Sequence, residues 1–158
     1  MNAMDVTDRY LSRDQALAYA LLRLTLGITI FLHGTNRIEH GIQNFAAAMN
    51  KDFAATILPT LLVHLFGLTL PFFEAAVGAL LMVGLLTRMA LVVGALLMAA
   101  LVFGMTLREQ FIVVGVQLIY AAIYFILLSN LRYNSISLDG FLGLKGPMIG
   151  EMHAKGEW

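Results

Sequence analysis

Polar residues along this chain come in short clusters that separate four long apolar runs. Each run is long enough to cross the roughly 30 Å of hydrocarbon in a bilayer as an α-helix. The spacing predicts helices over residues 13–36, 59–86, 89–107 and 111–131, followed by a polar, glycine-containing tail over 132–158. Ser12 and Gln15 fit a capping box at the start of the first run, because a serine at N-cap and a glutamine three residues on satisfy each other's backbone donors. Pro59 suits the first turn of the second helix, where its missing N–H costs nothing. Pro71 falls inside that helix, should kink it, and leaves the Gly67 carbonyl without its intrahelical donor. The clusters at Arg88 and at Arg108-Glu109-Gln110 are only long enough for tight turns, so the last three helices are antiparallel neighbours in one bundle.

Residues 37–56 do not continue the apolar pattern. Ile42, Phe45, Met49 and Phe53 recur at spacings of three and four, with Lys51 and Asp52 between them. This pattern predicts a short amphipathic helix at the membrane interface rather than a fifth span. Basic residues then fix the sidedness. Arg9, Arg13, Arg88, Arg132, Lys145 and Lys155 fall on the face that carries both chain ends, and Arg37, Lys51 and Arg108 on the other. Six against three predicts an inner-membrane protein with both termini in the cytoplasm.

Composition narrows the chemistry. Hydrophobic residues make up 59% of the 158 and charged residues only 13%, against about 25% charged in soluble domains. The expectation is an all-α, integral membrane four-helix bundle in a single domain, with the lipid bilayer as its first partner. Ten basic residues balance ten acidic ones and no basic block occurs, so nothing supplies the electrostatic footprint of a nucleic-acid binder. The absence of cysteine excludes thiolate-held iron–sulfur clusters, Cys-ligated zinc and a persulfide carried on this chain. The residues before the first run are polar and of mixed charge, and no small-residue cleavage site follows it, so that run is expected to remain as a span.

Ionisable residues within apolar spans are expensive and point to pairing or function. Measured from the middle of each predicted helix, Arg23 lies about 4 Å and Glu74 about 2 Å to the cytoplasmic side of the midplane. They are expected to pair, and they are the candidate catalytic residues. His33 and His64 come out about 11 and 13 Å to the outer side, as a second layer. Gln117 and Tyr120, with Tyr124, share one face of the last helix. Gly67, Pro71, Glu74 and Gly78 continue a stripe that begins at His64, and Gly27, His33 or Gly34 and Arg37 make a similar stripe from Arg23. Such small residues permit close helix contact or leave room for a ligand. Each of these residues also has a plainer reading. Arg23 and Glu74 serve equally as a register-fixing pair, His33 as an interfacial residue, His64 as a packing histidine and the tyrosines as belt residues.

The run Arg23-Leu24-Thr25-Leu26-Gly27-Ile28-Thr29-Ile30-Phe31-Leu32-His33-Gly34, the run from Glu74 through Gly78 and Gly84-Leu85-Leu86-Thr87-Arg88, and then Ser137-Leu138-Asp139 form an ordered set. In this order they resemble the DoxX/DoxD family of small four-helix membrane proteins, over about residues 20 to 142. The resemblance implies a four-helix membrane fold, with Arg23, His33, Glu74 and Arg88 as family-like positions. The family includes the large subunit of a thiosulfate:quinone oxidoreductase, so the resemblance implies a membrane subunit that handles a quinone. His33, His64, Gln117 and Tyr120 are the candidate quinone-binding residues, with Glu74, Tyr120 and Gln117 as the proton relay. Thiosulfate would dock at the outer rim near Arg37. The alternative is a non-catalytic accessory subunit of a larger membrane complex, with other membrane subunits or further copies of the chain as partners. A bis-histidine haem b site at His33 and His64 is a weaker third reading, and no metal site is expected.

Overall fold

The computed structural model describes residues 3–143, with side chains from Arg13 onward. Its elements are helices α1 (Ala3–Glu39), α2 (Ile42–Asp52), α3 (Thr60–Val83), α4 (Thr87–Leu107) and α5 (Phe111–Ser129), a 3-10 turn (Leu131–Tyr133) and the single turn α6 (Leu138–Phe141). Four segments, Arg13–Glu39, α3, α4 and α5, are long and apolar enough to cross a membrane. The four-span, all-α architecture expected from the pattern is the one observed. Residues 145 and 155, and most of the tail, lie outside the described residues.

The ends of the helices show where local signals won and lost. The capping box at Ser12 does not start α1, which begins at Ala3. No glycine or proline interrupts residues 3–15, and Asp5 and Asp8 favour a helix N-terminus there, so the helix simply grows past the serine. At the other end α1 reaches Glu39 and stops where Gly41 takes φ 95°. The helix α3 ends at Val83, three residues short of the predicted 86. Gly84 adopts a left-handed conformation (φ 69°), and Leu85 N–H donates to Leu80 C=O at 3.0 Å, the 6→1 bond of a Schellman motif. The helix α3 passes through Pro71 as one continuous element. The spans predicted as 89–107 and 111–131 are observed as Thr87–Leu107 and Phe111–Ser129.

The core is built on the α1–α3 contact. Gly34 lies against the backbone of Pro71 and Ala75, and Gly78 against the backbone of Phe31, so each helix presents a side-chain-free spot to the other. Leu26, Ile30, Val77, Leu81, Leu91, Tyr124 and Leu127 fill the centre between α1, α3, α4 and α5. Dispersion over this dry, close-packed set holds the helices together, since lipid offers apolar surface as good as leucine.

The amphipathic segment is a helix, α2, with Ala46 and Phe53 buried and Ile42, Phe45, Met49 and Asn50 half-buried on the same face. It docks on α3. Ala46 sits against Gly67, and Asn50 bonds His64. Gly27 lies opposite Met82 and Gly78, Gly34 opposite Ala75 and Pro71, and Ala46 opposite Gly67. Advancing along α1 and then α2 thus means receding along α3. The two helices form one broken rod antiparallel to α3, and the break at His40-Gly41 falls opposite the middle of α3.

Candidate functional site

The two ends of the α1–α3 contact carry two arginines with different partners. Arg23 is 4% exposed and does not meet Glu74. Its guanidinium donates to the carbonyl of Leu81 (3.0 Å), in the last turn of α3, and to the carbonyl of Ile136 (2.9 Å) in the tail. The Leu81 carbonyl lies where a helix C-terminus leaves acceptors without donors, and a cation there also complements the helix dipole. The expected Arg23–Glu74 pair is therefore corrected. Arg23 lies level with Leu81 and Gly84, about 10–15 Å along α3 from Glu74.

The tail completes this end. Asp139 accepts from Leu86 N–H (2.8 Å) and Thr87 N–H (2.7 Å) at the start of α4, while its own N–H donates to Gly84 C=O (2.9 Å). Asn134 donates to the Thr87 hydroxyl at 3.0 Å, and the Ser137 hydroxyl accepts from Gly140 N–H at 3.0 Å. Leu86, at φ 48°, is held in a conformation unfavourable for a side-chain-bearing residue, and the Asp139 carboxylate binds its N–H in that state. The Ser-Leu-Asp sequence is thus a clasp that caps α4 and, through Arg23, joins α1, α3 and the tail.

Glu74 is 4% exposed and pairs with Arg37 of α1. The Arg37 guanidinium also stacks 4.8 Å over the Phe45 ring of α2. His33, one turn before Arg37, is exposed and in electrostatic range of Glu74. Tyr124 is 1% exposed and in electrostatic range of both Glu74 and Tyr120, with its ring against Gly94 of α4. Tyr120 packs on the edge of the core. Gln117 shares that face of α5, and its carbonyl oxygen is buried without a partner. The bundle therefore pairs Arg37 with Glu74, sets His33 and Tyr124 in electrostatic range of that carboxylate and Tyr120 in range of Tyr124, with Gln117 one turn beyond Tyr120.

It does not bring in His64. That ring bonds the Asn50 amide at 3.1 Å and fastens α2 to α3. His33 adjoins Gly34, which lies opposite Pro71 and Ala75, so the two histidines are about 15 Å apart in depth. The expected His33–His64 layer is corrected accordingly, and the two imidazoles do not face one another as axial haem ligands must. Among the described residues no group of three His, Asp or Glu side chains is gathered around a common point.

Both corrections share one cause. Distance from the ends of apolar runs gives depth only if every run crosses the same slab from edge to edge. Instead α1 is offset along the bundle, so that its C-terminal end lies opposite mid-α3 and α2 continues from there along α3. Arg37 rather than Arg23 then reaches Glu74. One signal for this was present in sequence: Arg37 lies one turn beyond Gly34, on the α3-facing stripe.

Two cavities flank this arrangement. One, of about 250 Å³, lies at the α1–α2 break and is lined by Asn36, Arg37, His40, Gly41, Asn44 and Phe45. The other, of about 370 Å³, is an apolar groove between α2, α3 and α4, walled by Met49, Phe53, Leu62, Phe66, Leu101 and Phe103 among others. The Arg108–Asp52 ion pair (3.1 Å) and the Arg108 guanidinium, 5.2 Å over Phe53, join α4 to the C-terminal end of α2.

A family model described as DoxX matches residues 18–107, which is more than half of the chain. The match takes in Arg23, His33, Arg37, Glu74 and Arg88, and stops short of the Ser137-Leu138-Asp139 clasp. Neither the curated proteins nor the solved structures contain a match.

Proposed function

The chain belongs to the DoxX family, and from that premise we propose that it is a membrane subunit that binds a quinone and delivers protons to it from the Glu74 cluster. The observation that carries this reading is an ionisable pair, Arg37–Glu74, inside a bundle of membrane-spanning length, with His33 and Tyr124 in electrostatic range of the carboxylate. A quinone head accepts hydrogen bonds at its two carbonyls and takes up two protons and two electrons, and its tail needs an apolar wall. His33, Tyr120 and Gln117 are the donors in this proposal, Glu74 is the proton carrier, Arg37 sets the charge state around it, and the groove beside Phe66 suits an isoprenoid chain. Arg23 and His64 have no part in it.

In an oxidoreductase of the thiosulfate:quinone type, two thiosulfates would release two electrons as their sulfur–sulfur bond forms tetrathionate. The quinone would take those electrons and two protons to become quinol. No cysteine adduct is needed, and none is available. We place the protein in the inner membrane of a cell, with both ends in the cytoplasm, on the basic residues alone.

A second reading is favoured by α5, whose outward side is exposed and apolar, with Phe111, Ile112, Val116, Leu118, Ile119 and Phe125 among its exposed residues. That leaves an unpartnered apolar face for a neighbour, as an accessory subunit of a larger complex requires. The two readings separate on one experiment. The protein, purified with whatever subunits it retains, is titrated with a short-chain quinone, and the titration is repeated with Glu74→Gln and His33→Ala. Saturable binding that weakens in both variants supports the quinone reading. No binding by the native protein, together with a fixed stoichiometry of other subunits, supports the accessory one.

A further inference from the structure

We propose that the cavity at the α1–α2 break is a water-filled vestibule that carries solvent from the side of the α2–α3 and α4–α5 connections to the Arg37–Glu74 pair. The argument rests on depth and on backbone chemistry. The 21 residues of α4 rise about 31 Å, which matches the hydrocarbon thickness of a bilayer. Leu61, Leu62 and Leu65 of α3 and Phe103 of α4 are exposed near that same edge, so the apolar slab extends to the outer ends of both helices. The break lies opposite mid-α3, well inside that slab.

A helix break at such a depth is tolerated only where it is buried in protein or lines water, because free N–H and C=O groups have no partner in lipid. This one is not buried. His40 is exposed and Gly41 half-exposed. The helix α2 starts at Gly41 with no side-chain cap, which leaves donors of its first turn free. Around it Asn36, His40, Gln43 and Asn44 are all exposed, and three of the four line the cavity together with Arg37. Amides and an imidazole facing hydrocarbon would each be costly, whereas facing water they are ordinary. Glu74 connects to the cavity through Arg37, whose guanidinium bonds the carboxylate on one side and lines the cavity on the other. The vestibule would give the buried carboxylate a route for proton exchange from one side only, whatever molecule the cluster serves.

The chain contains no cysteine, so single cysteines report water access directly. Asn44→Cys and His40→Cys are placed in sealed membrane vesicles of each orientation and exposed to a charged, membrane-impermeant maleimide. Glu109→Cys, in the α4–α5 turn, is the fully wet reference, and Leu96→Cys, a lipid-facing position of α4, the dry one. The expected result is labelling of both vestibule positions from the Glu109 side only, within about tenfold of the reference rate, with Leu96→Cys at least about a hundredfold slower because a thiolate does not form in hydrocarbon. Labelling after solubilisation in denaturant confirms that each thiol is present. If both vestibule positions label as slowly as Leu96→Cys in intact membranes, or label from the opposite side, the vestibule is overturned. No quinone is present in this experiment, so its outcome is independent of the quinone titration.

Discussion

The two buried ends of the α1–α3 contact hold one arginine each, and their surroundings differ in kind. Arg23 satisfies two backbone carbonyls in a closed knot of caps, where every acceptor belongs to a helix end or the tail. Arg37 satisfies a carboxylate, stacks on an aromatic ring and borders a polar cavity. The first arrangement caps helix ends and ties four segments together. The second retains an ionisable pair that more apolar side chains could have replaced without loss of packing. The acceptors separate the two arginines: Arg23 serves carbonyls of a helix end and the tail, and Arg37 serves the carboxylate on which the proposed function rests.

Four substitutions would break or sharpen that contrast. The largest effect is expected at the shared seam. Gly78→Leu drives a side chain into the Phe31 backbone and should cost about 3 kcal/mol or more, seen as loss of folded protein in thermal melts followed by circular dichroism. Next comes the clasp. Asp139→Ala leaves the Leu86 and Thr87 N–H groups unpaired and should lower stability by about 2 kcal/mol, with quinone affinity unchanged. A matching loss of quinone binding at the same protein stability would show that the two ends are not separate in role. Glu74→Gln is expected to do the reverse. Arg37 can turn to water in the vestibule, so the melt should move by less than about 1 kcal/mol, while quinone reduction falls by about a hundredfold if Glu74 carries the proton. An unfolding shift as large as that of Asp139→Ala would instead class Arg37–Glu74 with the structural knot. The smallest effect is expected at His64→Ala, about 0.5–1 kcal/mol through the lost Asn50 bond, with no change in quinone titration.

The helices were legible because lipid imposes a length and a composition that few other constraints can mimic. Runs such as Met89–Leu107 and Phe111–Leu131 lack any reading except a span, and their ends fell within a few residues of those observed. The amphipathic face of α2 was legible for the same reason, as a periodicity. The pairings were not. Arg23 meets Ile136 across 113 residues of chain and Asp139 meets Leu86 across 53, and no local pattern encodes such contacts. The Ser137-Leu138-Asp139 sequence looked like a family signature without a task until the tail folded back onto the start of α4.

Sequence by itself determined that the chain crosses a bilayer four times, that a short amphipathic helix follows the first span, and which ionisable residues must find partners inside. Hydrophobic transfer acts residue by residue along a helix, so it can be summed from sequence. Tertiary structure alone decided that α1 stops opposite mid-α3, that Arg37 takes Glu74 while Arg23 closes the clasp, and that a polar break opens on the outside of the bundle at that level. Axial offset between helices is set by where small residues such as Gly34 and Gly78 let two backbones touch. That is a property of the pair, and neither helix carries it alone.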